Sequence, residues 1–360
     1  MRTRPMKLIT TWFNRNFSDP QVVILGLALV ILLAVILLFG RMLAPVVAAI
    51  VIAYLLDGLI APLQYRGIPR IIAVLIIYLA FLFFVILILF GLLPLISKQA
   101  TQLVQQIPTM LTEGQAVLQT LPQLYPEIIS VDQLAEIMAA IRMELTTWGQ
   151  RALSISVASV LGLITVLIYL VLLPVLVLFL LKDKGLIVGW LQRFLPKNRQ
   201  LTTEVWSEVD RQMGNYVRGK FWEIIIVSAA SYLVFVGFGL QYAMLLSVVV
   251  GVSVLVPFIG AAVVTVPVVL VALFQFGWGS DLAWLTVAYL VIQVLDGNVL
   301  VPLLFSEVNN LHPVAIILAV LFFGGLWGLV GVFFAIPLAT VVLAVVNAWP
   351  RLEIPKTQLE

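Results

Sequence analysis

Long apolar runs separated by short polar connections dominate this chain. Runs of about 20 residues recur between residues 20 and 348, and a helix of about that length crosses the hydrocarbon layer of a bilayer. The pattern predicts an all-α, polytopic integral membrane protein with about eight transmembrane helices, some of them broken at glycine or proline. The predicted helices cover residues 20–39, 42–63, 71–97, 153–181, 221–239, 242–256, 257–276 and 282–304.

Two places in this pattern predict a change of chain direction. A tight turn is expected at Gly40-Arg41, between the first two apolar runs. The final apolar stretch, 313–348, is too long for one span. We expect the glycines at 324–331 to divide it into two helices or a hairpin.

Two connections differ in character from the apolar runs. Residues 98–152 contain glutamine, threonine and proline, and their acids outnumber their bases. Their apolar residues keep helical spacing, which predicts a small extracytoplasmic region of amphipathic helices. Residues 182–220 carry an excess of lysine and arginine, which favours the cytoplasm. Apolar residues at every fourth position from Leu201 to Val217 predict an amphipathic helix there.

Charge also places both ends of the chain on the cytoplasmic side. Basic residues precede the first apolar run, which is too long for the apolar part of a cleavable signal, and Arg351 and Lys356 follow the last run. The predicted layout is an N-terminal flank with three helices, the extracytoplasmic region, a fourth helix, the cytoplasmic connection, a C-terminal transmembrane core and a tail. These parts cover residues 1–97, 98–152, 153–181, 182–220, 221–348 and 349–360.

Composition excludes several classes of function. The chain has no cysteine and a single histidine, which excludes thiol catalysis, disulfides and cysteine-based metal sites. It contains no zinc-protease, serine-hydrolase or P-loop motif. Asp57 and Asp296 are the only pair that an intramembrane aspartyl protease could use, and nothing else supports that activity. We expect no enzyme activity, no cofactor and no nucleic-acid partner. Any active transport must be driven by a gradient, and the other possibility is a passive pore.

The last third of the chain is apolar enough for lipid, yet residues that interrupt helices punctuate it. Broken helices are tolerated in a bilayer only where they pack against protein or line a wet cavity. We therefore place a solute or ion pathway here. The candidate residues are the polar and helix-breaking residues of this stretch and of the earlier break at 257–260: Asp296, Asn298, Pro302, Glu307, His312, Pro257, Gly260, Gly324, Gly325, Gly328 and Gly331.

Asp296 is the main candidate for a proton or cation site, because a carboxylate in lipid is costly unless it is paired or protonated. Gly297 could open the backbone so that Asp296 and Asn298 face one cavity. The alternative role for Asp296 is a structural cap.

Other ionisable groups allow both a functional and a structural interpretation. Glu307 and His312 could form a gate pair, although a lone histidine beside a proline is more often a helix-start residue. Glu223 is close to Lys220 in the chain, and we expect an interfacial ion pair. For Asp57 the two interpretations stay open.

Two segments of the chain resemble each other. Residues 243–267 and 315–337 each contain an apolar helix, a break with glycine, and a second helix with a proline six or seven residues further on. Paired segments broken at glycine or proline point to the binding site of a transporter. The alternative is chance, since glycine and proline are common in membrane helices.

An ordered set of short motifs resembles a known family. The motifs are Ala53-Tyr54-Leu55-Leu56, Gly67-Ile68-Pro69-Arg70, Tyr216-Val217-Arg218-Gly219-Lys220, Pro257-Phe258-Ile259-Gly260, Asn298-Val299-Leu300-Val301-Pro302, Leu311-His312-Pro313 and the glycine-rich stretch 324–337. In this order they resemble the autoinducer-2 exporter family, the PerM-like permeases of bacteria, over nearly the whole chain. Asp57 departs from the family pattern, where an amide or small residue is expected, and so does Asp296, where a glutamate is more usual.

The resemblance implies a multi-helix transporter of the bacterial cytoplasmic (inner) membrane. Members of the family are associated with export of a small signalling molecule, and some with sodium–proton exchange. We therefore predict a gradient-driven or passive transporter whose partners are a small polar solute or H⁺ and Na⁺, the lipid bilayer, and further copies of itself in a homo-oligomer. The alternative is a non-transporting membrane scaffold or regulator that docks cell-envelope partners through residues 98–152.

Overall fold

The computed structural model describes residues 20–118, 139, 143, 159–193, 200–257, 259–305 and 311–348, and these contain helices and turns but no strand. We number the α-helices in chain order. They are α1 (Pro20–Tyr65), α2 (Arg70–Leu87), α3 (Leu93–Leu118), α4 (Ser159–Lys182), α5 (Lys184–Gln192), α6 (Gln200–Gly237), α7 (Ala243–Ser253), α8 (Ile259–Phe276), α9 (Ser280–Leu295), α10 (Val301–Phe305) and α11 (Pro313–Ala348). Two π-helical turns, Ile88–Leu92 and Asp296–Leu300, join α2 to α3 and α9 to α10.

The described helices confirm a polytopic membrane protein. Five of them are long and apolar enough to cross a bilayer. These spans are Met42–Tyr65, Arg70–Met110, Val209–Gly237, Ile259–Phe276 and Ser280–Phe305. Shorter apolar helices lie at Ile168–Lys182, Ala243–Ser253, Pro313–Gly328 and Val330–Leu343.

The predicted turn at Gly40-Arg41 is wrong, because α1 runs unbroken through it. The helix has 46 residues, which corresponds to about 69 Å. A turn would leave the last four carbonyls of one helix and the first four N–H groups of the next without helical partners. Such groups are costly in lipid, so two apolar runs only two residues apart are better satisfied as one helix.

The third span continues through the π turn Ile88–Leu92 and ends well beyond its predicted end at residue 97. Helix α3 continues to Leu118, so the first part of the predicted extracytoplasmic region is the end of a long helix. The remainder of that region, apart from residues 139 and 143, lies outside the described residues.

Helix α6 is the central element of the bundle. It packs against α1, α7, α9, α10 and α11. The sequence predicted a division at residue 220, between an amphipathic connection and a transmembrane helix. The helix is continuous there. Helix α10 approaches α6 closely at Gly219, because this residue has no side chain. A Cβ there would lie 2.6 Å from the ring of Phe305 on α10.

Helices α7 and α8 pack together as a helical hairpin, called here the first hairpin. With 11 residues, α7 is about 16 Å long and too short to span a bilayer. Helix α7 ends at Ser253, residues 254–257 form turns, and α8 then returns to the level where α7 began. The side-chain amide of Gln275 closes this end, because it donates to Gly239 O (2.8 Å) and accepts from Gln241 N (2.7 Å).

Helix α11 contains a second hairpin, with its break at Gly328. That glycine has φ 60° and ψ −138°, outside the helical region. Phe323 packs in one cluster with Ala335 on the other side of the break. A Cβ at Gly331 would lie 1.8 Å from Phe323 O, whereas eight residues of straight helix would separate the two by about 12 Å. The chain therefore folds back, as the glycines of 324–331 predicted.

The two hairpins share one device for closing the break. In the first hairpin, a Cβ at Gly260 would lie 1.8 Å from Ser253 O, and Gly331 stands in the same relation to Phe323 O in the second. In each hairpin a glycine just after the break lets the returning helix touch a carbonyl of the descending one. The structural likeness of the two breaks supports the internal similarity found in the sequence.

We predict that Gly260→Ala and Gly331→Ala each destabilise the protein by about 1–3 kcal/mol, because the added methyl must displace backbone. Gly325→Ala is the matched control, since a Cβ there meets nothing within 4 Å, and it should change stability by less than about 0.5 kcal/mol. Thermal unfolding of the three detergent-purified variants measures the difference. Equal midpoints would show that the hairpin breaks tolerate a side chain.

Candidate functional site

A buried ion pair lies on α6, the central helix. The Lys220 ammonium is 2.7 Å from Glu223 Oε2, and the two side chains are 7% and 2% exposed. Because the residues are three apart, they share one face of the helix. The ammonium also lies 5.3 Å from the ring centroid of Phe305. Charges this deep in a membrane span are costly unless they are paired, and they mark functional positions.

Lys220 also binds the break of the first hairpin. Its Nζ donates to Val254 O at 2.8 Å, and Val254 is the first residue after α7. A carbonyl at the end of a helix lacks its usual helical partner, and in lipid it must find another. Lys220 therefore supplies both the counter-charge for Glu223 and a partner for the hairpin backbone.

Asp296 is the first residue of the π turn Asp296–Leu300, which follows α9 and packs against α6. Its Oδ1 is buried and has no hydrogen-bond partner in the described part of the chain. A π turn inside an α-helix is frequent at functional sites, so this arrangement supports the choice of Asp296 as the main candidate.

Gln293 adds a second unpartnered polar group close to Asp296. Its Nε2 is likewise buried and makes no hydrogen bond within the described residues. Gln293 precedes Asp296 by three residues, so the two lie on one face of the helix. A buried donor and a buried acceptor on adjacent turns are costly unless something else binds them.

The charge balance of this group, called here the central cluster (Lys220, Glu223, Asp296 and Gln293), leaves room for one more positive charge. The cluster contains one ammonium, on Lys220, and two carboxylates, on Glu223 and Asp296. When both carboxylates are ionised, the cluster carries a net charge of −1. A proton or a monovalent cation at Asp296 would neutralise it, and carboxylate and amide oxygens are ligands that suit hard cations.

The second hairpin reaches α6 one turn away. Tyr216, four residues before Lys220, is 1% exposed, and its hydroxyl donates to Phe333 O at 2.8 Å. Its ring packs against those of Phe305 and Phe333. Both hairpins therefore bind the same short segment of α6 through backbone carbonyls next to their breaks.

The other predicted site residues are more dispersed. Asn298 Nδ2 donates to Val294 O of its own helix at 2.9 Å, and its side chain is exposed. His312 is exposed, and its Nδ1 accepts from Val314 N at 3.3 Å, as expected of a helix-start residue. Pro302 is exposed on α10. Glu307 lies outside the described residues.

The predicted prolines and glycines lie in the two hairpins. Pro257 lies in the break of the first hairpin and Gly260 directly after it. Gly324 and Gly325 lie on the first limb of the second hairpin, one turn before the break at Gly328, and Gly331 follows the break.

A second charged group joins α1, α2, α4 and α5 at the end of the bundle called here the basic end (Asp57, Arg70 and Lys184). Lys184 Nζ lies 2.9 Å from Asp57 Oδ2, and Arg70 Nη2 lies 4.0 Å from Asp57 Oδ1. Arg70 also donates to Leu181 O at 3.3 Å. Asp57 is thus paired with two cations at a partly exposed position.

The opposite end of the bundle carries an open cavity of about 400 Å³, called here the glutamine end. Amide side chains dominate its lining, which comprises Gln99, Gln102, Gln105, Gln106, Gln241 and Tyr242. Gln99 Oε1 accepts from Leu245 N, 2.8 Å away in the first turn of α7. No charged side chain is among these lining residues, so the cavity is polar but neutral.

The ion pair that the sequence predicted between Lys220 and Glu223 is confirmed, but it is buried in the bundle rather than at the interface. The sequence named Tyr216 only within a family motif and did not single out Gln293. The signal for the burial of the pair was present, because Lys220 and Glu223 are ionisable residues three apart inside the apolar span Val209–Gly237. Treating Lys220 as the end of a cytoplasmic connection hid it.

Several apolar spans, two hairpins that reach one helix, and ionisable groups buried where they meet define a membrane transport protein. The comparison with protein families agrees. A family model described as AI-2E family transporter matches residues 27–351, and the chain belongs to this family.

Individual relatives support this assignment. The chain is 47% identical over 348 residues to PerM of Escherichia coli strain K12, which carries the name of a permease, and the alignment covers 96% of this chain and 98% of PerM. It is 28% identical over 313 residues to YrrI of Bacillus subtilis strain 168, named as a transport protein, with 84% of each chain covered. It is 26% identical over 336 residues to TqsA of E. coli K12, named AI-2 transport protein, with 90% and 93% covered.

The family therefore confirms the predicted resemblance and the assignment to membrane transport. Its members bear the names of permeases and transport proteins rather than enzymes, in line with the expectation that this chain is not an enzyme.

Proposed function

We propose that this protein is a gradient-driven transporter that exports a small polar solute and uses the central cluster as its coupling site for a proton or a sodium ion. The single observation that carries this proposal is the buried pair of Lys220 and Glu223 beside the break of the first hairpin, with the unpartnered carboxylate of Asp296 on the π turn that packs against the same helix. Structural ion pairs do not need a second, unpartnered carboxylate, whereas a site that gains and loses a cation does.

The first hairpin is the element that this cluster can move. Lys220 holds Val254 O of the hairpin and Glu223 at the same time. Binding of a cation at Asp296 changes the field on the ammonium. It therefore changes how strongly Lys220 holds the hairpin break, and two positions of the hairpin against α6 would give access from the two sides in turn.

The neutral cavity at the glutamine end supports a solute that is polar and not strongly charged. Amides offer both donors and acceptors to hydroxyl and carbonyl groups. We infer an exported molecule similar to autoinducer-2, which fits the family description and the printed name of TqsA. Sodium–proton exchange is the second candidate, favoured by the unpartnered carboxylate of Asp296.

Flux in proteoliposomes tests both candidates. Purified protein should move autoinducer-2 against its concentration gradient only when a pH or sodium gradient is imposed, and empty liposomes should not. Sodium uptake driven by a pH gradient without any organic solute would select exchange over export. Absence of flux under every gradient would contradict the transport proposal.

We place the basic end in the cytoplasm and the glutamine end outside, with both termini in the cytoplasm of a bacterial inner-membrane protein. The natural absence of cysteine allows a direct test with single substitutions at exposed positions. Gln241→Cys should react with an impermeant maleimide in intact cells, and Arg193→Cys only after permeabilisation. The reverse pattern would invert the orientation and with it the direction of export.

A further inference from the structure

Arg218 occupies a prepared position between α1 and α6. Two glycines make room for its side chain. A Cβ at Gly58 on α1 would lie 2.8 Å from Arg218 Cδ, and a Cβ at Gly214 on α6 would lie 3.2 Å from both Nη atoms. The guanidinium therefore lies over Gly214, one turn closer to the start of α6 than its own Cα.

Among the described residues, the Arg218 guanidinium forms one hydrogen bond and no ion pair. Its Nη2 donates to Asn215 Oδ1 at 2.9 Å, and Asn215 is neutral. No carboxylate among the described residues lies within 4.0 Å of it to form an ion pair. An arginine offers five N–H donors in a planar fork, and within the described residues one of them is used.

The neighbouring acids are already engaged. Asp57 pairs with Lys184 and Arg70, the hydroxyl of Tyr54 donates to Asp210 Oδ1, and Glu223 pairs with Lys220. Within the described chain, Arg218 is thus a partly buried cation of a membrane span that lacks an anionic partner of its own. Such a residue is costly in a membrane and indicates a ligand or a pathway.

The direction of the side chain brings the fork close to the membrane boundary. The span of α6 begins at Val209, and Gly214, which the guanidinium covers, is five residues or about 8 Å further along. Long basic side chains reach in this manner from an apolar helix toward the headgroup region. Arg218 is partly exposed, so it is not sealed inside the bundle.

We propose that the Arg218 guanidinium binds a phosphate group where α1 and α6 meet. The fork geometry of a guanidinium matches two phosphate oxygens. The same chemistry is offered by the headgroup of an anionic phospholipid and by a soluble phosphate ester. This site is separate from the proposed transport function and does not depend on it.

Ligand-dependent thermal unfolding of the purified full-length protein in neutral-lipid nanodiscs tests the proposal. One arm incorporates phosphatidylglycerol into the nanodisc, and the other adds sodium phosphate, with sodium chloride at equal ionic strength as the reference. We expect a rise in the unfolding midpoint of the wild type in at least one arm. A rise with phosphatidylglycerol only assigns a lipid headgroup, and a rise with sodium phosphate assigns a soluble ligand.

Three variants separate a specific site from general charge. Arg218→Gln should lose the shift, and Arg218→Lys, which keeps the charge without the fork, should retain only part of it. Arg66→Gln, at an exposed arginine just after α1, should keep the full shift. An Arg218→Gln shift equal to that of the wild type, or no shift of the wild type in either arm, would overturn the proposal. If Arg218→Gln does not fold, the comparison of Arg218→Lys with wild type decides in the same way.

Discussion

Asp296→Asn is expected to reduce gradient-coupled flux to the level of empty liposomes while leaving the protein folded. The amide keeps the shape of the side chain but cannot carry the negative charge that attracts a proton or cation to the central cluster. The partly buried position at the π turn should tolerate it, because Oδ1 makes no hydrogen bond that would be lost within the described residues. The measurement is solute flux in proteoliposomes under an imposed pH or sodium gradient.

Asp281→Asn is the matched control for this prediction. Asp281 lies in the first turn of the same helix and is exposed, so its replacement should leave coupled flux unchanged. Asp296→Leu separates the structural role from coupling. If Asp296 is only a structural cap, the asparagine variant will transport normally and the leucine variant will misfold, and the proposal that Asp296 is the coupling residue must then be abandoned.

Lys220→Met is expected to destabilise the protein by about 3–5 kcal/mol, because it leaves the Glu223 carboxylate, only 2% exposed, without its counter-charge. It also removes the hydrogen bond to Val254 O, so the first hairpin should become more susceptible to proteolysis. Thermal unfolding and limited proteolysis in detergent measure the two effects.

The double variant Lys220→Met with Glu223→Gln tests whether the loss comes from an uncompensated charge. It should recover much of the stability that Lys220→Met loses, because the deeply buried Glu223 position then carries no charge, but it should not recover coupled transport. Lys184→Met provides the control at a surface pair. Its partner Asp57 is 33% exposed, and such pairs contribute only about 0–1 kcal/mol. Equal losses for Lys220→Met and Lys184→Met would contradict a special role of the buried pair.

The helical spans and the glycine-containing breaks could be predicted from the sequence, because both depend on local pattern. The apolar runs predicted the spans because the thickness of a bilayer sets the length of a helix. The paired glycine and proline breaks predicted two similar segments. This was possible because a crowded break requires a glycine, and the glycine is visible in the local sequence. Gly260 and Gly331 show that cause directly in their contacts with Ser253 O and Phe323 O.

Other features could not be predicted from the sequence because they depend on distant partners. The cost of unsatisfied backbone groups decides whether α1 turns at Gly40 or continues. The identities of Gly40 and Arg41 do not reveal that cost. The contact of Lys220 with Val254 O joins residues 34 positions apart. Asn298 was expected beside Asp296, but the π turn directs it to the backbone of its own helix.

The first hairpin has a consequence for how the protein is assembled in the membrane. Both of its ends lie at the glutamine end, so its two apolar helices add no net crossing, and counting apolar runs overestimates the number of times the chain changes sides. A helix as short as α7 is also a poor independent span for an insertion machinery that reads segments one at a time. Among the described residues its carbonyl at Val254 accepts from Lys220 of α6, which is synthesised earlier. Biogenesis should therefore place α6 first and let the hairpin enter as a unit against it, so that Lys220, a member of the central cluster, also guides insertion.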